Sequence, residues 1–257
     1  MKLEQTNRII IKIGSALLFN ETSGSLNKEW LNSLAEDVKY LRENDKEVII
    51  VSSGAIAMGA KDLDLDMKNM KMDMNQAVSA VGQIHLMGSF KSAFEKNEIK
   101  ISQILLTLDD TEQRRRSINA RRTIDTLLKL GIVPVVNEND TIATSEIRYG
   151  DNDRLASRVA QITSADCLIL LSNINGLYSA DPSTDEDVKL INKVSEIDKD
   201  IEKMIGQSIS DYGKGGMKTK IQAAKTAMLS GCHLAITNGS IIRPVSYTHL
   251  RAHETTN

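Results

Sequence analysis

The distribution of apolar residues along the chain predicts alternating strands and helices. Six continuous apolar runs lack the alternation of a half-exposed strand, so they are typical of strands buried on both faces. These runs cover residues 8–14, 47–54, 101–108, 132–139, 167–173 and 233–239. Helical spacing follows the first runs, for example at Val78, Val81, Ile84 and Phe90. The alternation predicts an α/β fold with a largely parallel central sheet covered by helices on both faces.

Small and polar residues collect where the predicted strands end. The segments are IKIGS (11–15), VSSGAIAMG (51–59), NENDT (137–141) and LLSNINGLY (170–178). Ligands of open parallel sheets bind beyond the carboxyl ends of the strands, so a site is predicted at this edge. Taken singly, SSGA also fits a helix-capping turn and NEND also fits an ordinary polar loop.

The segment YGDNDRLAS (149–157) places three polar residues at a predicted helix start. Apolar residues return at Leu155, Val159 and Ile162 with helical spacing, which puts the triplet 151–153 in the first turn. One of these side chains would be enough to cap the helix. The excess of polar groups indicates a function beyond capping.

Two lysine-containing segments are candidates for binding phosphate. Lys12 interrupts an apolar strand, where a buried ammonium needs an anion, and Gly14 would allow a phosphate to approach closely. Alternatively, Lys12 lies on an edge strand and faces solvent. GKGGMKTK (213–220) precedes a helical pattern and offers backbone N–H groups with Lys218 and Lys220, although it does not match the Walker A motif. The alternative for this segment is a flexible turn before a basic helix.

The overall charge and hydropathy exclude several classes of partner. The 257 residues include 32 basic and 34 acidic side chains, a net charge of −2, which gives no indication of nucleic acid or an anionic membrane. No apolar run reaches the roughly 18 residues of a membrane span, and the N-terminus lacks the apolar stretch of a signal peptide. We therefore expect a cytoplasmic protein with no nucleic-acid or membrane partner.

The cysteine, histidine and arginine residues do not indicate a disulfide, metal or RNA-binding site. Cys167 and Cys232 are too far apart in sequence for a CxxC motif, and we interpret them as reduced core thiols. The four histidines show no ligand spacing, so no protein-held metal is predicted. The arginines within 114–122 adjoin acidic residues without interleaved aromatics, which favours a solvated helix face or a subunit contact over RNA binding.

Taken together, the segments resemble the amino acid kinase family in order and approximate spacing, from about residue 8 to 240. The resemblance implies a three-layer αβα sandwich that binds an amino acid toward its N-terminal part and ATP toward its C-terminal part. SSGAIAMG and GDNDRLA are most similar to the family member that phosphorylates the side-chain carboxylate of L-glutamate to L-glutamyl 5-phosphate, the first step of proline biosynthesis. A homo-oligomer, and Mg²⁺ arriving with ATP, are also expected.

The resemblance assigns roles to individual residues. Lys12 and Lys220 would contact the phosphoryl group in transfer, and Asp153 would hold the two lysines in place. The glutamate would be bound by Ser53, Asp140, Asn152 and Asn137. ATP would be contacted by Gly14, Ser172, Asn173, Gly213, Gly215, Gly216, Met217 and Lys218.

Two departures from the family pattern affect these expectations. Asn173 and Asn175 stand where many relatives carry aspartate. Residues 244–257 have no family counterpart, so we expect a kinase domain over 1–243 that lacks its last C-terminal elements. A foreign or unstructured tail would follow, with no RNA-binding-like domain. The alternatives are a family member with another carboxylate or phosphate acceptor, and a binding protein or fragment that does not turn over.

Overall fold

The central element of the fold is a parallel sheet, seen in a computed structural model that describes residues 5–20, 25–68, 70–143, 151–180, 188–199, 201 and 216–246. The strands are β1 (Arg8–Ile13), β2 (Glu47–Val51), β3 (Ile101–Leu106), β4 (Val133–Glu138), β5 (Cys167–Ser172), β6 (Leu177–Tyr178), β7 (Leu190–Ile191) and β8 (His233–Asn238). Six of them form the sheet in the order β3-β4-β2-β1-β5-β8, with every neighbouring pair parallel. β6 and β7 form a separate antiparallel pair.

Helices lie between the strands. Their bounds are α1 (Ser15–Leu18), α2 (Lys28–Glu43), α3 (Ala55–Asp62), α4 (Met72–Glu95), α5 (Leu108–Glu112), α6 (Arg114–Lys129), α7 (Asp151–Thr163) and α8 (Met217–Leu229). Local signals fix some of their ends: Asn27 accepts a hydrogen bond from Trp30 N at the start of α2, and Thr107 and Asp110 form a capping box on α5.

Two apolar cores cover the two faces of the sheet and confirm the three-layer architecture. Side chains of β1 alternate between them: Ile9, Ile11 and Ile13 pack with α2 and α4, whereas Ile10 packs with α6, α7 and α8. Cys167 and Cys232 are free and buried, as predicted, and burial raises the pKa of both thiols to about 12.

All six predicted strands of the main sheet are confirmed, but several end earlier than their apolar runs. β2 ends at Val51, three residues before the run does. Ser52 still donates its backbone N–H to Val136 O, and the chain then turns at Gly54, which has φ of +104°. Because the strands are parallel, their carboxyl ends share one edge of the sheet.

α3 and α4 approach each other at two glycines. A Cβ built on Gly59 would lie 1.9 Å from Val78 O, and one built on Gly82 would lie 1.9 Å from Ala55 O. No side chain fits between these backbones. The contact fixes the start of α3, and therefore the SSGA loop, against the middle of α4.

Residues near the end of the described chain pack onto α2. The buried carboxylate of Asp37 accepts hydrogen bonds from the backbone N–H of Val245 at 2.8 Å and from Arg243 Nε at 3.3 Å. Val245 is 1% exposed and joins the core on that face. The domain boundary at residue 243 and the nature of residues 244–257 stay predictions. Of the helices that the structure describes, none is long and apolar enough to span a bilayer.

Candidate active site

One carboxylate lies between two lysines at the carboxyl edge of the sheet. Lys12 Nζ is 2.6 Å from Asp153 Oδ1, and Lys220 Nζ is 3.0 Å from Asp153 Oδ2. The side chains are 8%, 1% and 13% exposed for Lys12, Asp153 and Lys220. Each carboxylate oxygen therefore holds one ammonium group in a largely dry environment, which we call the lysine–aspartate cluster.

Three separate elements bring these residues together. Lys12 lies near the end of β1, at a position whose parity matches Ile10 and so faces α7 and α8. Asp153 lies in the first turn of α7, where the helix dipole favours a carboxylate. Lys220 lies in the first turn of α8. β1 is inside the sheet, flanked by β2 and β5, so Lys12 is not on an edge strand.

Burial and mutual charge shift the pKa values in this cluster. Burial lowers the pKa of Lys12, Asp153 opposes that shift, and Lys220 adds to it. Burial alone would raise the pKa of Asp153, but the two lysines outweigh it and the pKa lies below its usual value. Asp153 is thus a carboxylate at neutral pH, and it favours the charged form of Lys12.

Open space adjoins the Lys12 ammonium. Among the described residues, Lys12 Nζ is the one atom within 4 Å of a Cβ built on Gly14, at 3.9 Å, and Gly14 lies at the start of α1. The position that a larger side chain would occupy is therefore next to the ammonium. This arrangement fits an anion such as a phosphate, and the binding of phosphate here stays a prediction.

A chain of side-chain amides lies beside the cluster. Asn152 Nδ2 donates to Ser52 O at 2.6 Å and to Asn137 Oδ1 at 3.1 Å. Asn137, 3% exposed, donates from Nδ2 to Gln83 Oε1 at 2.8 Å. Both N–H groups of Asn152 are used, so its carbonyl oxygen is the atom left for a ligand.

The other two residues expected to bind an amino acid also lie at this edge. Ser53 donates from Oγ to Ile13 O at 3.1 Å, which ties the SSGA loop to the end of β1. Asp140 follows β4 and lines a cavity of about 210 Å³ between α4 and the ends of β3 and β4. Asn139 and Thr141 line the same cavity, with Thr141 Oγ1 donating to Asn139 Oδ1 at 2.6 Å.

The residues expected to contact the nucleotide are described in part. Ser172 ends β5 and donates from Oγ to Asn173 Oδ1 at 3.3 Å, and the Asn173 side chain is exposed. Gly216 precedes α8, Met217 is its first residue, and Lys218 is exposed. Gly213, Gly215 and the side chain of Asp151 lie outside the described part of the chain. The roles of all these residues stay predictions.

Sequence reasoning missed two residues at the site. Thr219 Oγ1 lies 3.2 Å from Asp153 Oδ2 and 3.0 Å from Gly216 O, so its single hydroxyl hydrogen is shared between that carboxylate and the start of α8. Gln83 lies at the end of the amide chain, on the buried face of α4 together with Leu86 and Phe90. A polar residue at an apolar helical spacing was the signal for Gln83, whereas nothing in the sequence distinguished Thr219 from a helix-start residue.

Protein groups supply the positive charge described at the site. No group of three His, Cys, Asp or Glu side chains that could hold a metal ion occurs within the described ranges. The charge facing the open space beside Gly14 comes from the lysine–aspartate cluster.

Solved structures with this fold include kinases of several substrates. The chain matches a carbamate kinase from Giardia with a TM-score of 0.66 and 14% identity, over 95% of this chain and 97% of that one. It matches UMP kinase from Ureaplasma parvum with a TM-score of 0.63 and 17% identity, over 98% and 97% of the two chains. At these identities the likeness shows the fold alone.

Sequence relatives are much closer. The chain is 58% identical over 245 residues to glutamate 5-kinase of Pelagibacter ubique (strain HTCC1062), and 52% identical over 244 residues to glutamate 5-kinase of Ruegeria sp. (strain TM1040). Each match covers 95% of this chain and 66% of the relative, so the chain spans slightly less than two thirds of their length. The sequence model of the amino acid kinase family matches residues 7–238. The chain therefore belongs to the amino acid kinase family.

Proposed function

We propose that the chain transfers the γ-phosphoryl group of ATP to the side-chain carboxylate of L-glutamate, giving L-glutamyl 5-phosphate and ADP. This reaction would be the first step of proline biosynthesis. The observation that carries the proposal is the pair of lysines held on one buried aspartate beside open space. The names of the relatives at 58% and 52% identity support glutamate as the acceptor.

The proposed nucleophile needs no general base. A glutamate side chain has an unperturbed pKa of about 4.3, so it is ionised at neutral pH. Its oxygen forms a bond to the γ-phosphorus while the bond from phosphorus to the bridging oxygen of ADP breaks. The protein must align two anions and stabilise charge on the equatorial oxygens.

The lysine–aspartate cluster fits this task. Each ammonium has three N–H donors and uses one toward Asp153, so others remain for phosphoryl oxygens. Asp153 keeps the two like charges in place and opposes the effect of burial on the pKa of Lys12. Magnesium would arrive bound to ATP and supply further positive charge at the phosphates.

The amide and carboxylate groups beside the cluster fit the amino-acid head of glutamate. Asn152 presents only its carbonyl oxygen, and Asp140 carries a carboxylate, so both suit an ammonium group. Asn137 is buried, and hydrogen bonds to Asn152 and Gln83 fix its side chain, which suits a supporting role. Direct contacts of Asn137 and Ser53 with the substrate are part of the proposal.

Trapping of the product tests the function directly. The purified chain is incubated with ATP, Mg²⁺ and L-glutamate in the presence of hydroxylamine, which converts an acyl phosphate to a hydroxamate. L-Aspartate and N-acetyl-L-glutamate serve as acceptor controls. Of the three acceptors, we expect only L-glutamate to give hydroxamate, in an amount equal to the ADP formed. Equal or greater product with another acceptor would identify that compound as the substrate in place of glutamate. No product with any acceptor from a folded sample would refute the activity.

The proposal includes a homo-oligomer in the cytoplasm. Apolar side chains in the segment after α3 and in the first turn of α4 are 39–46% exposed, as a subunit contact would require: Leu63, Leu65, Met67, Met72 and Met74. A reaction that consumes ATP, and two free thiols, both fit the cytoplasm. Light scattering at micromolar concentration tests the assembly, and a monomer mass would refute it.

A further inference from the structure

The orientation of three neighbouring amides follows from one backbone carbonyl. Ser52 O can only accept, so the atom of Asn152 that lies 2.6 Å from it is the amide nitrogen. The same nitrogen donates to Asn137 Oδ1, which turns Asn137 Nδ2 toward Gln83 Oε1 at 2.8 Å. Donation therefore runs from Asn152 through Asn137 to Gln83. Gln83 ends the chain with an amide nitrogen, a donor.

That donor is buried and unpaired within the part of the chain that the structure describes. Gln83 is 9% exposed, and its Nε2 has no hydrogen-bond partner among the described residues. An unpaired buried N–H is costly, so such groups are rare in folded proteins unless a ligand or water pairs with them. Gln83 Nε2 is thus suited to an acceptor that arrives from outside.

The cavity beside Gln83 carries groups complementary to an amino-acid head. Gln83 lines the 210 Å³ cavity together with Glu138 and Asp140. This volume is several times that of one water molecule. Two carboxylates suit an ammonium group, and one amide N–H suits a carboxylate oxygen. A free α-amino acid carries both groups on one carbon atom, Cα.

We propose that Gln83 is a specificity-determining residue whose Nε2–H donates to the α-carboxylate of the bound glutamate. The inference rests on the proposed function. The side-chain carboxylate of glutamate must meet Lys12 and Lys220, and neither lysine lines the cavity. The α-carboxylate is the remaining acceptor of the substrate, and Gln83 would select for it.

A pair of matched acceptors isolates this contact. L-Isoglutamine keeps the ammonium and the side-chain carboxylate of glutamate but has an amide in place of the α-carboxylate. The hydroxamate assay gives kcat/KM for both acceptors with wild type and with Gln83→Glu. In this variant the new carboxylate still accepts from Asn137 Nδ2, so the amide chain keeps its order. Gln161→Glu makes the same exchange at an exposed position of α7 and is the control.

The expected result is a change of preference, not a general loss. Wild type should prefer L-glutamate. Gln83→Glu should lower the ratio of kcat/KM for L-glutamate over L-isoglutamine by about 10- to 100-fold. The reason is that the substitution replaces an N–H donor to the α-carboxylate with a carboxylate that repels it. The change should lie in KM for the acceptor, with KM for ATP unaltered. Gln161→Glu should keep the wild-type ratio.

Two outcomes would overturn the assignment. One is a ratio of kcat/KM for L-glutamate over L-isoglutamine that is the same in Gln83→Glu as in wild type, because a purely structural role would lower kcat/KM for both acceptors alike. The other is an equal kcat/KM of the wild-type protein for L-isoglutamine and L-glutamate. This outcome needs no variant, so it applies even if the substitution prevents folding. The absence of product with either acceptor in wild type would instead refute the proposed function.

Discussion

Gly82→Ala should destabilise the protein, whereas the same change at Gly88 should stabilise it. Both glycines lie in α4, so both gain about 1 kcal/mol of helix propensity as alanine. At Gly88 no described residue lies within 4 Å of a Cβ. At Gly82 it would lie 1.9 Å from Ala55 O and 2.4 Å from Gly59 N.

The size of the effect follows from that overlap. Cβ contacts under 3.0 Å essentially do not occur, so α3 and α4 must separate by about 1 Å at this point. Overpacking of this kind costs typically 1–3 kcal/mol, and two backbone contacts place Gly82 near the upper end. After the propensity gain we expect a net loss of about 2 kcal/mol, against a gain of about 1 kcal/mol for Gly88→Ala.

Thermal unfolding measures both variants against wild type. For a chain of this size, 1 kcal/mol corresponds to about 2–4 °C in Tm. Gly82→Ala should therefore unfold roughly 4–8 °C lower, and Gly88→Ala about 2–4 °C higher. Equal Tm values for the two variants would refute the close approach of α3 and α4.

Three further predictions follow from the charges and thiols. Lys220→Ala should depress turnover far more than Lys218→Ala, because Lys220 contacts Asp153 whereas Lys218 is exposed; equal effects in the hydroxamate assay would contradict this assignment. Asp153→Asn leaves buried ammonium groups without their counter-charge, so at pH 7 it should lower the free energy of unfolding by about 3 kcal/mol in urea titrations. Because the lysines depress the pKa of Asp153, its contribution is present above the unfolded pKa of about 3.9 and is lost as pH falls through the folded value. The difference between wild type and Asp153→Asn should therefore shrink as the pH falls below about 3.9, and a difference that stays constant from about pH 5 to about pH 2 would contradict this assignment. Cys167 and Cys232, with pKa values of about 12, should resist iodoacetamide at pH 8 until urea unfolds the chain; mass spectrometry of native protein that shows rapid labelling would contradict it.

The sequence predicted the strands well because buried parallel strands are continuous apolar runs. It could not give their order, and that order decides the environment of Lys12. A lysine within an apolar strand fits both a solvent-exposed edge and a buried site. Only the position of β1 between β2 and β5 makes Lys12 buried and brings it to α7 and α8.

Helical periodicity was less reliable in α4. Ile84 belongs to the predicted apolar pattern, yet it is 75% exposed. Polar residues occupy the buried face instead: Ser79 is 2% exposed and Gln83 is 9% exposed. Helical periodicity predicts burial for apolar positions, and it fails where a helix buries polar side chains next to a candidate site.

The sequence placed most of the candidate site at the correct edge, because loops after parallel strands must meet there. The pairing of Lys220 with Asp153 was expected from the family resemblance alone, because residue spacing cannot show it: the pairing depends on where α8 begins. With Met217 as the first helical residue, Lys220 turns toward α7 and Lys218 toward solvent. A shift of one residue in that start would have turned both side chains elsewhere.

The strand order also affects the chain while the ribosome is making it. β1 leaves the ribosome before the other strands of the sheet, yet it belongs in the middle of the sheet, and its partner β5 begins roughly 150 residues later. At about 5–20 residues per second, one edge of the all-apolar segment around Ile9 to Ile11 stays unpaired for roughly 8–30 seconds. An open strand edge is a template for pairing with other chains. Nascent chains of this protein are therefore expected to depend on chaperones until β5 emerges, however stable the finished domain is.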